Sequence, residues 1–322
     1  MQSYWIVPTA SGVALELRDV PRPEPKDGQL LVRVRASAFN RGELLGGRGT
    51  HAAAAKPAGG ECAGEVAALG SGVTGFALGE RVMGRCAGGF AEYAIMDARE
   101  ALRIPARLSW EQAAAIPLVF MVTHDMLVTH GHLQKNEWLL ITGTSSGVGV
   151  AALQAAKALG GNVIGTSGSA DKLAKLKSLG LDVGVETRGV GFHDVAMQAT
   201  GGKGVNLVVN TVGGTVFAEC VRTLAYEGRL ATVGYLDRTL EAQIDLEALH
   251  SKRLTLFGVS NKLRPPAERA RTVRGFEKDF LPYFADGRLA PTIDRVFAFA
   301  DLAAAHAYFD SGATLGKVVT RL

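Results

Sequence analysis

Residues Leu139 to Leu173, LLITGTSSGVGVAALQAAKALGGNVIGTSGSADKL, run from an apolar stretch through a turn of small residues into a helical pattern. A strand, a glycine-rich turn and a helix together form the local unit that binds a dinucleotide pyrophosphate. Its first glycine permits the turn, the second lets the backbone approach the phosphates, and the third lets the helix pack on the strand. Here Gly147 and Gly149 remain, while Thr144 and Ser146 stand at the first two glycine positions. Both replacements are small, and their hydroxyls are expected to donate to a phosphate at the helix N-terminus, where free N–H groups and the helix dipole favour an anion. The competing reading is a plain strand-to-helix turn without a ligand. Against it stands a second strand at the right spacing, with an informative end.

That strand, NVIGTS, should finish beside an adenosine ribose. A site selecting NAD usually has an acidic residue there, about 20 residues beyond the glycines, to accept from the 2′-hydroxyl. Here the strand ends in Thr166-Ser167-Gly168-Ser169, and the first acid, Asp171, lies inside the next helix beside Lys172. Hydroxyls and a lysine suit a 2′-phosphate, so NADPH is the expected cofactor. Lys172 alone would read as a solvated helix face; the inference rests on the missing acid.

The elements that must position these residues span a chain of 322 residues, 47% hydrophobic and 20% charged, which exceeds the usual size of one domain. The first third reads as β structure. LLVRVRASAFN alternates Val32, Val34 and Ala36 with Arg33 and Arg35, and ECAGEVAALGSGV, GERVMGRCAGG and FAEYAIMDA follow as short strands between glycine turns, the spacing of a compact barrel or sandwich. HAAAAKPAGG reads as an irregular loop. From Ser109, a helix cap, the texture becomes helical, with Pro117 expected to end one helix before another begins. Strands and helices then alternate: EWLLITG with VGVAALQAAKALG, NVIGTS with ADKLAKLKSLG, VNLVVNTV with TVFAECVRTLAYEG, then RLATVGY and LTLFGVS, with Gly160, Gly180 and Gly228 placed as C-caps. Apolar strands covered on both faces form a doubly wound parallel sheet. PPAERARTVRGFEKDFLPYFADG reads as one long charged helix, and the remaining strand, helix and strand are expected to return to the first domain.

A net charge of +4 without a basic stripe argues against a nucleic-acid partner. No apolar stretch is long enough to span a bilayer and no leader pattern opens the chain, so no membrane partner and a cytoplasmic location are expected. Three cysteines, Cys62, Cys86 and Cys220, are odd in number and widely spaced, and read as small buried hydrophobes.

Taken together, PRPEPKDGQLLVRVRASAFNRGEL, AAAIPLVFMVT, GTSSGVG, NLVVNTVGG, GRLATVG and GKVV make the chain resemble the zinc-free branch of the medium-chain dehydrogenase/reductase superfamily, the quinone oxidoreductases related to zeta-crystallin. NRGELL looks nearest to the p53-inducible quinone oxidoreductase subgroup. The resemblance implies an α/β protein with a GroES-like β-barrel domain built from residues 1–122 and 263–322, and a Rossmann NADPH-binding domain at residues 123–262. Zinc-dependent relatives have a cysteine where this chain has Asn40 and G-H-E-x-x-G where it has Gly59-Gly60-Glu61-Cys62-Ala63-Gly64. The metal histidine is thus Gly60, and no tetrahedral ligand set remains. The HGH at 130–132 is a poor metal site, because residues two apart on a helix face away from each other.

The resemblance also implies a cofactor site made of Thr144, Ser145, Ser146, Gly147, Val148, Gly149, Ser167, Lys172, Arg188, Asn210, Val212, Gly234, Tyr235, Val259, Ser260 and Lys317. Asn40 and Thr123 fall near the nicotinamide as donors that orient substrate. Hydride delivered to a quinone or an α,β-unsaturated carbonyl puts negative charge on an oxygen that such donors can hold without a metal. Two departures from the family pattern bear on this. In N-x-x-D-x-Y, Glu43 replaces the aspartate and Leu45 the tyrosine, so no side-chain proton donor is evident and water is left to supply the proton. Where relatives cover the 2′-phosphate with a tyrosine this chain has Thr187, and Arg188 is the neighbour able to substitute. His124 reads more readily as a buried, satisfied histidine than as a proton source. The implied activity is an NADPH-dependent reductase of quinones or activated enones, acting as a homodimer through the LTLFGVS edge. The alternatives are an enoyl-thioester reductase and an NADPH-binding protein with little turnover.

Overall fold

The computed structural model describes residues 1–9, 12–44, 54–261 and 263–322. The chain divides into two compact units, residues 1–121 with 266–322, and residues 122–265. The sequence places the boundaries at 122/123 and 262/263.

The first unit begins with β1 (Gln2–Thr9) and β2 (Gly12–Asp19), paired antiparallel with Gln2 opposite Asp19, a hairpin with no distinct signal in the sequence. Then come β3 (Gln29–Ala38), α1 (Arg41–Leu44), β4 (Lys56–Pro57), β5 (Glu61–Leu69), β6 (Arg81–Arg85), β7 (Tyr93–Asp97) and β8 (Ala101–Arg103). The loop expected over HAAAAKPAGG holds the two-residue β4 paired with β1; residues 51–53 lie outside the described residues. Val32 and Val34 are buried on β3 while Arg33 is exposed, as their alternation demands. Ser109 caps α2 (Trp110–Ala114) in a capping box with Gln112, and Pro117 opens α3 (Pro117–His124), where its missing N–H costs nothing.

In the second unit α3 runs on into a π-turn, Asp125–Thr129. The elements that follow are β9 (Trp138–Thr142), α4 (Gly147–Ala158), β10 (Asn162–Ser167), α5 (Ala170–Ser178), β11 (Val183–Glu186), α6 (His193–Ala199), β12 (Val205–Asn210), α7 (Gly214–Thr223), β13 (Leu224–Thr232), α8 (Leu246–Ser251) and β14 (Thr255–Gly258). The six strands form a parallel sheet in the order β11-β10-β9-β12-β13-β14. Its core packs Leu140, Ile164, Val208 and Leu230 against Val216 and Cys220 of α7. Gly160 and Gly180 follow their helices with φ of +81° and +98°. Gly228 does not: α7 ends at Thr223, and Leu224 to Gly228 belong to β13, because Leu224 and Ala225 are buried against the sheet.

The chain then returns to the first unit. The single helix expected from Pro266 is two, α9 (Pro266–Asp279) and α10 (Leu281–Asp286), since Pro282 cannot continue the hydrogen-bond ladder of the first. Phe276, Phe280 and Phe284 bury their rings at this junction, with Phe120 edge-on to Phe284. Finally β15 (Ile293–Ala298), α11 (Leu302–Asp310) and β16 (Lys317–Arg321) complete a seven-stranded sheet in which β16 lies between β15 and β3.

Candidate active site

In the second unit, the ends of four parallel strands fall in register, with Thr142 beside Asn210, Asn210 beside Thr232 and Thr232 beside Gly258. The strand order reverses between β9 and β12, and at such a switch point an α/β sheet opens a crevice beyond its carboxyl ends. The turn Gly143–Ser146 stands at this edge. Gly143 takes φ +65°, and a Cβ on Gly149 would lie 2.6 Å from the Thr144 carbonyl oxygen and 2.7 Å from that of Gly143, so only glycine lets α4 start this close to β9. Ser146 is the N-cap of α4; its Oγ accepts from the Gly149 N–H at 3.1 Å, a bond that does not use its own O–H. Gly147 and Val148 form the first helical turn, whose N–H groups have no acceptor inside the helix. Thr144 differs from expectation. Its hydroxyl is fully buried and donates to the Ile141 carbonyl at 2.9 Å, so it closes the strand end instead of facing a phosphate.

The loops at the same edge are held by side chains. Asn210 Nδ2 donates to the Gly213 carbonyl, and its Oδ1 accepts from Thr142 Oγ1, Val212 N and Gly213 N. Its amide is therefore spent on shaping the loop that carries Val212. Gly234 and the half-exposed Tyr235 follow β13, and the buried Val259 and exposed Ser260 follow β14. At the far end of β10, Ser167 is buried and its carbonyl accepts from Thr187 N at 3.0 Å. Thr187 Oγ1 donates to Val190 O, whereas Arg188 runs across Gly168 so closely that a Cβ there would collide with Arg188 Cγ. Lys172 sits in the first turn of α5, its N–H accepted by Ser169 Oγ.

Thr123, near the end of α3, is fully buried, and its Oγ1 has no hydrogen-bond partner among the described residues. His124 is buried too, its Nδ1 3.4 Å from Thr129 Oγ1, which fits the satisfied histidine better than the proton source. The HGH residues follow the π-turn and do not lie on a helix. His130 stacks on Phe257 and pairs with Asp125, which Arg264 also holds at 3.1 Å. Among the described residues, no group of three His, Cys, Asp or Glu side chains is arranged to hold a metal.

The first unit contains a buried polar cluster whose members the sequence shows only in pieces. Lys317 Nζ donates to Glu61 Oε1 at 2.8 Å, to Asn40 Oδ1 at 2.9 Å and to the Phe39 carbonyl at 2.7 Å, which uses all three of its protons. Glu61 Oε2 accepts from the Leu118 N–H at 2.7 Å, and Asn40 Nδ2 donates to Glu61 Oε1 at 2.8 Å with a longer approach to Glu43 Oε1 at 3.3 Å. Lys317 thus neutralises a fully buried carboxylate, and Asn40 braces the pair. Neither keeps a well-directed proton for a cofactor or a substrate, contrary to the roles expected for them. Glu43 closes the cluster. Its carboxyl lies over Gly60, the position where zinc-dependent relatives carry a histidine, so closely that a Cβ there would make the carboxyl shift. Desolvation, then repulsion from Glu61, pushes the Glu43 carboxyl up to about 7, against the pull of Lys317, Asn40 and the Gly60 N–H. Cys62 and Cys86 lie beneath; their mutual hydrogen bond and burial drive the Cys86 thiol well upward, so it stays protonated. Leu45 lies outside the described residues. The signal that could have exposed this cluster was the presence of Glu61 and Lys317 inside otherwise apolar strands, ECAG and GKVV, where a charge needs a partner.

Residues 26–106 match the alcohol dehydrogenase GroES-like domain and residues 147–272 the zinc-binding dehydrogenase family. A polypeptide of the phenolphthiocerol/phthiocerol polyketide synthase of Mycobacterium tuberculosis is 32% identical over 95% of this chain; the chain spans 14% of that protein's length. Acryloyl-coenzyme A reductase of Metallosphaera sedula is 29% identical, over 86% of this chain and 87% of its own. Two solved structures, each 25% identical and covering both chains completely, share the fold: mycobacterial Rv1454c complexed with NADPH, at a TM-score of 0.89, and a quinone oxidoreductase of Pseudomonas syringae, at 0.87. With a GroES-like unit assembled from both ends of the described chain and a parallel-sheet nucleotide unit between them, the chain belongs to the medium-chain dehydrogenase/reductase superfamily.

Proposed function

We propose that the chain is an NADPH-dependent, zinc-independent reductase that delivers hydride to quinones or activated α,β-unsaturated carbonyls. The observation that carries this reading is a dinucleotide cradle in one unit together with Asn40 and Gly60 in the other, where zinc-dependent relatives carry a cysteine and a histidine. The cradle fits the cofactor because Gly149 admits no side chain, Ser146 offers a hydroxyl, and β10, the strand after it, ends at Ser167 with no acidic residue of its own and with Arg188 packed across the following Gly168. NADPH when bound supplies the hydride. The Gly147 and Val148 N–H groups and Ser146 hold its pyrophosphate, and Arg188 with Lys172 holds the 2′-phosphate by charge-assisted hydrogen bonds. Thr123, whose hydroxyl is unpaired among the described residues, orients the acceptor. The edge strand β14 joins two copies into a homodimer.

A second reading has its own support. The likeness to acryloyl-coenzyme A reductase extends over most of both chains and favours enoyl thioesters on coenzyme A or a carrier protein. Steady-state oxidation of NADPH and NADH, with an ortho-quinone, a 2-alkenal and a short enoyl-CoA, separates the readings when each is run with and without chelator. The proposal expects chelator-insensitive turnover of quinone or alkenal, with NADPH strongly preferred. Preference for the thioester moves the assignment to enoyl reduction, and tight NADPH binding without turnover leaves a binding protein.

A further inference from the structure

We propose that Asp237 is a positioning residue for the cofactor: its carboxylate ties the loop after β13 to the start of α7, so that Tyr235 and Leu236 form a wall of the crevice beside the phosphate turn. All of these residues belong to the nucleotide unit, and the assignment rests on the NADPH reading of its crevice, whatever the acceptor. Asp237 Oδ2 accepts from Thr215 N at 2.8 Å and from Thr215 Oγ1 at 2.6 Å, and Oδ1 accepts from Thr239 N at 2.8 Å. Thr215 stands in the first turn of α7, whose N-cap, Gly213, has no side chain to offer the free N–H groups. The carboxylate reaches them from 22 residues further along the chain, and the positive end of the helix favours its charge. Burial alone would raise its pKa; the bonds from Thr215 and Thr239 outweigh that and hold it below the usual aspartate value. The backbone follows the same path, with Asp237 N donating to Val212 O at 2.9 Å and Gly214 N to Thr239 O at 3.0 Å. Only glycine admits this approach, because a Cβ on Gly213, at φ +129°, would collide with the Asp237 carboxylate and one on Gly214 would press on the Glu241 carbonyl oxygen.

The loop held in this way crosses from the end of β13 over the end of β12 to the turn after β9. Leu236 N donates to Thr211 O at 3.4 Å, and a Cβ on Gly143, in the phosphate turn, would lie 3.6 Å from Leu236 Cδ1 and 3.5 Å from Val212 Cγ2. Leu236 therefore stands at the switch point between β9 and β12, where the crevice opens. Both Leu236 and Tyr235 are half-exposed, and large apolar side chains left open beside a nucleotide cradle are suited to pack against a ligand lying in it. The turn that presents them is closed by Arg238 N donating to Tyr235 O at 3.0 Å and puts Arg238 at φ +60°. A non-glycine residue in the left-handed region costs free energy, and the loop keeps this shape because the Asp237 carboxylate holds Thr239 just beyond it and α7 beneath it.

The test is NADPH binding without any acceptor, followed by fluorescence, for the wild type, Asp237→Asn, Thr215→Val and Leu236→Ala. Trypsin cleavage after the exposed Arg238 reads the state of the loop in the cofactor-free protein. Asp237→Asn keeps an acceptor for Thr239 but turns an amide N–H toward the donors of Thr215. It should raise the Kd for NADPH about tenfold and speed cleavage after Arg238 about as much, because the closed loop becomes a minor population. Thr215→Val, which removes one bond and no charge, should shift both readouts in the same direction by less, and it carries the test if Asp237→Asn fails to fold. Leu236→Ala should weaken NADPH binding with cleavage at the wild-type rate, since it removes the wall and leaves the clamp. The ratio of NADPH to NADH affinity should keep its wild-type value in all three variants, which a general loosening of the unit would not spare. If Asp237→Asn binds NADPH as tightly as the wild type, whatever its cleavage rate, the proposal is overturned and Asp237 only caps α7. Weaker binding with unchanged cleavage after Arg238 overturns it as well. A wild type that does not bind NADPH removes the cofactor reading and this assignment with it. Because no acceptor is added, a failure of the reductase reading leaves these outcomes as they are.

Discussion

At the level of single residues, the buried cluster of the first unit combines one compensated charge pair with one carboxyl held neutral. The Glu43 carboxyl binds its proton more tightly in the folded protein than in the unfolded chain. Its contribution to stability is therefore complete below the ordinary carboxylate range and is lost as pH rises through about 7. The shift from 4.5 to about 7 caps that loss at about 3 kcal/mol, and the part of the side chain left exposed keeps it below the cap. Glu61 and Lys317 behave differently. Both are almost fully buried and paired at 2.8 Å, and removing one partner strands the other as an uncompensated charge. Lys317→Met should destabilise the protein by about 3–5 kcal/mol, measured by urea unfolding at pH 7. Substituting Met at Lys317 and Leu at Glu61 together should recover most of that loss, since an apolar pair of similar volume leaves no buried charge. The replacement of aspartate by Glu43 is visible in the sequence, where only the exchange of the tyrosine for Leu45 reads as the loss of a proton donor. What the sequence hides is the environment: Glu61 is 18 residues away on β5, so the repulsion that lifts the carboxyl exists only once β5 has paired with β3, and Lys317, which offsets it, arrives from the other end of the chain with β16.

Among the elements, the phosphate turn was legible because its demands are local. The third glycine must clear the backbone carbonyls of Gly143 and Thr144, which sit close to it in the chain. Gly149→Ala tests this directly. Helix propensity alone would favour alanine by about 1 kcal/mol, but its Cβ would meet two carbonyl oxygens at 2.6 and 2.7 Å. The clash wins, since backbone at the end of a central strand cannot yield without moving β9. The variant should lose about 1–3 kcal/mol of stability, and its NADPH affinity should weaken at least tenfold as α4 shifts away from the pyrophosphate, both measurable by titration and thermal unfolding. The elements misread from sequence failed where local pattern and tertiary context diverge. TVFAECVRTLAYEG carries a helical pattern throughout, yet Leu224 and Ala225 find more burial in the sheet than on a continued helix. Thr144 reads as outward-facing because a hydroxyl at a phosphate turn has an obvious use. Its actual partner, the Ile141 carbonyl, is an acceptor that only the folded strand end reveals.

For the molecule as a whole, the two units are stabilised by separate means. The nucleotide unit is continuous in sequence and built on a six-stranded sheet with a core of Leu140, Ile164, Val208 and Leu230. The GroES-like unit is discontinuous, and β16 inserts between β15 and β3 at the far end of the chain. In the first unit, packing about Phe39, Phe90 and Phe309 and the Glu61–Lys317 pair act where a metal would cross-link the cluster. A structural or catalytic zinc contributes binding free energy directly to folding, so a chelator lowers the melting temperature of a protein that depends on one. Here Asn40 supplies no thiolate and Gly60 no imidazole. Millimolar chelator should therefore leave both the thermal midpoint and the turnover of the purified protein unchanged. NADPH acts in the opposite sense. At a hundred times its Kd it should stabilise the nucleotide unit by about 2.7 kcal/mol, and NADH at the same concentration by much less, because Arg188 and Lys172 meet no phosphate on its ribose. A chelator-induced drop in midpoint would place a metal in the first unit despite the missing cysteine and histidine at positions 40 and 60. Equal shifts from NADPH and NADH would remove Arg188 and Lys172 from the 2′-phosphate and leave the cradle at Gly149 as a site for either nucleotide.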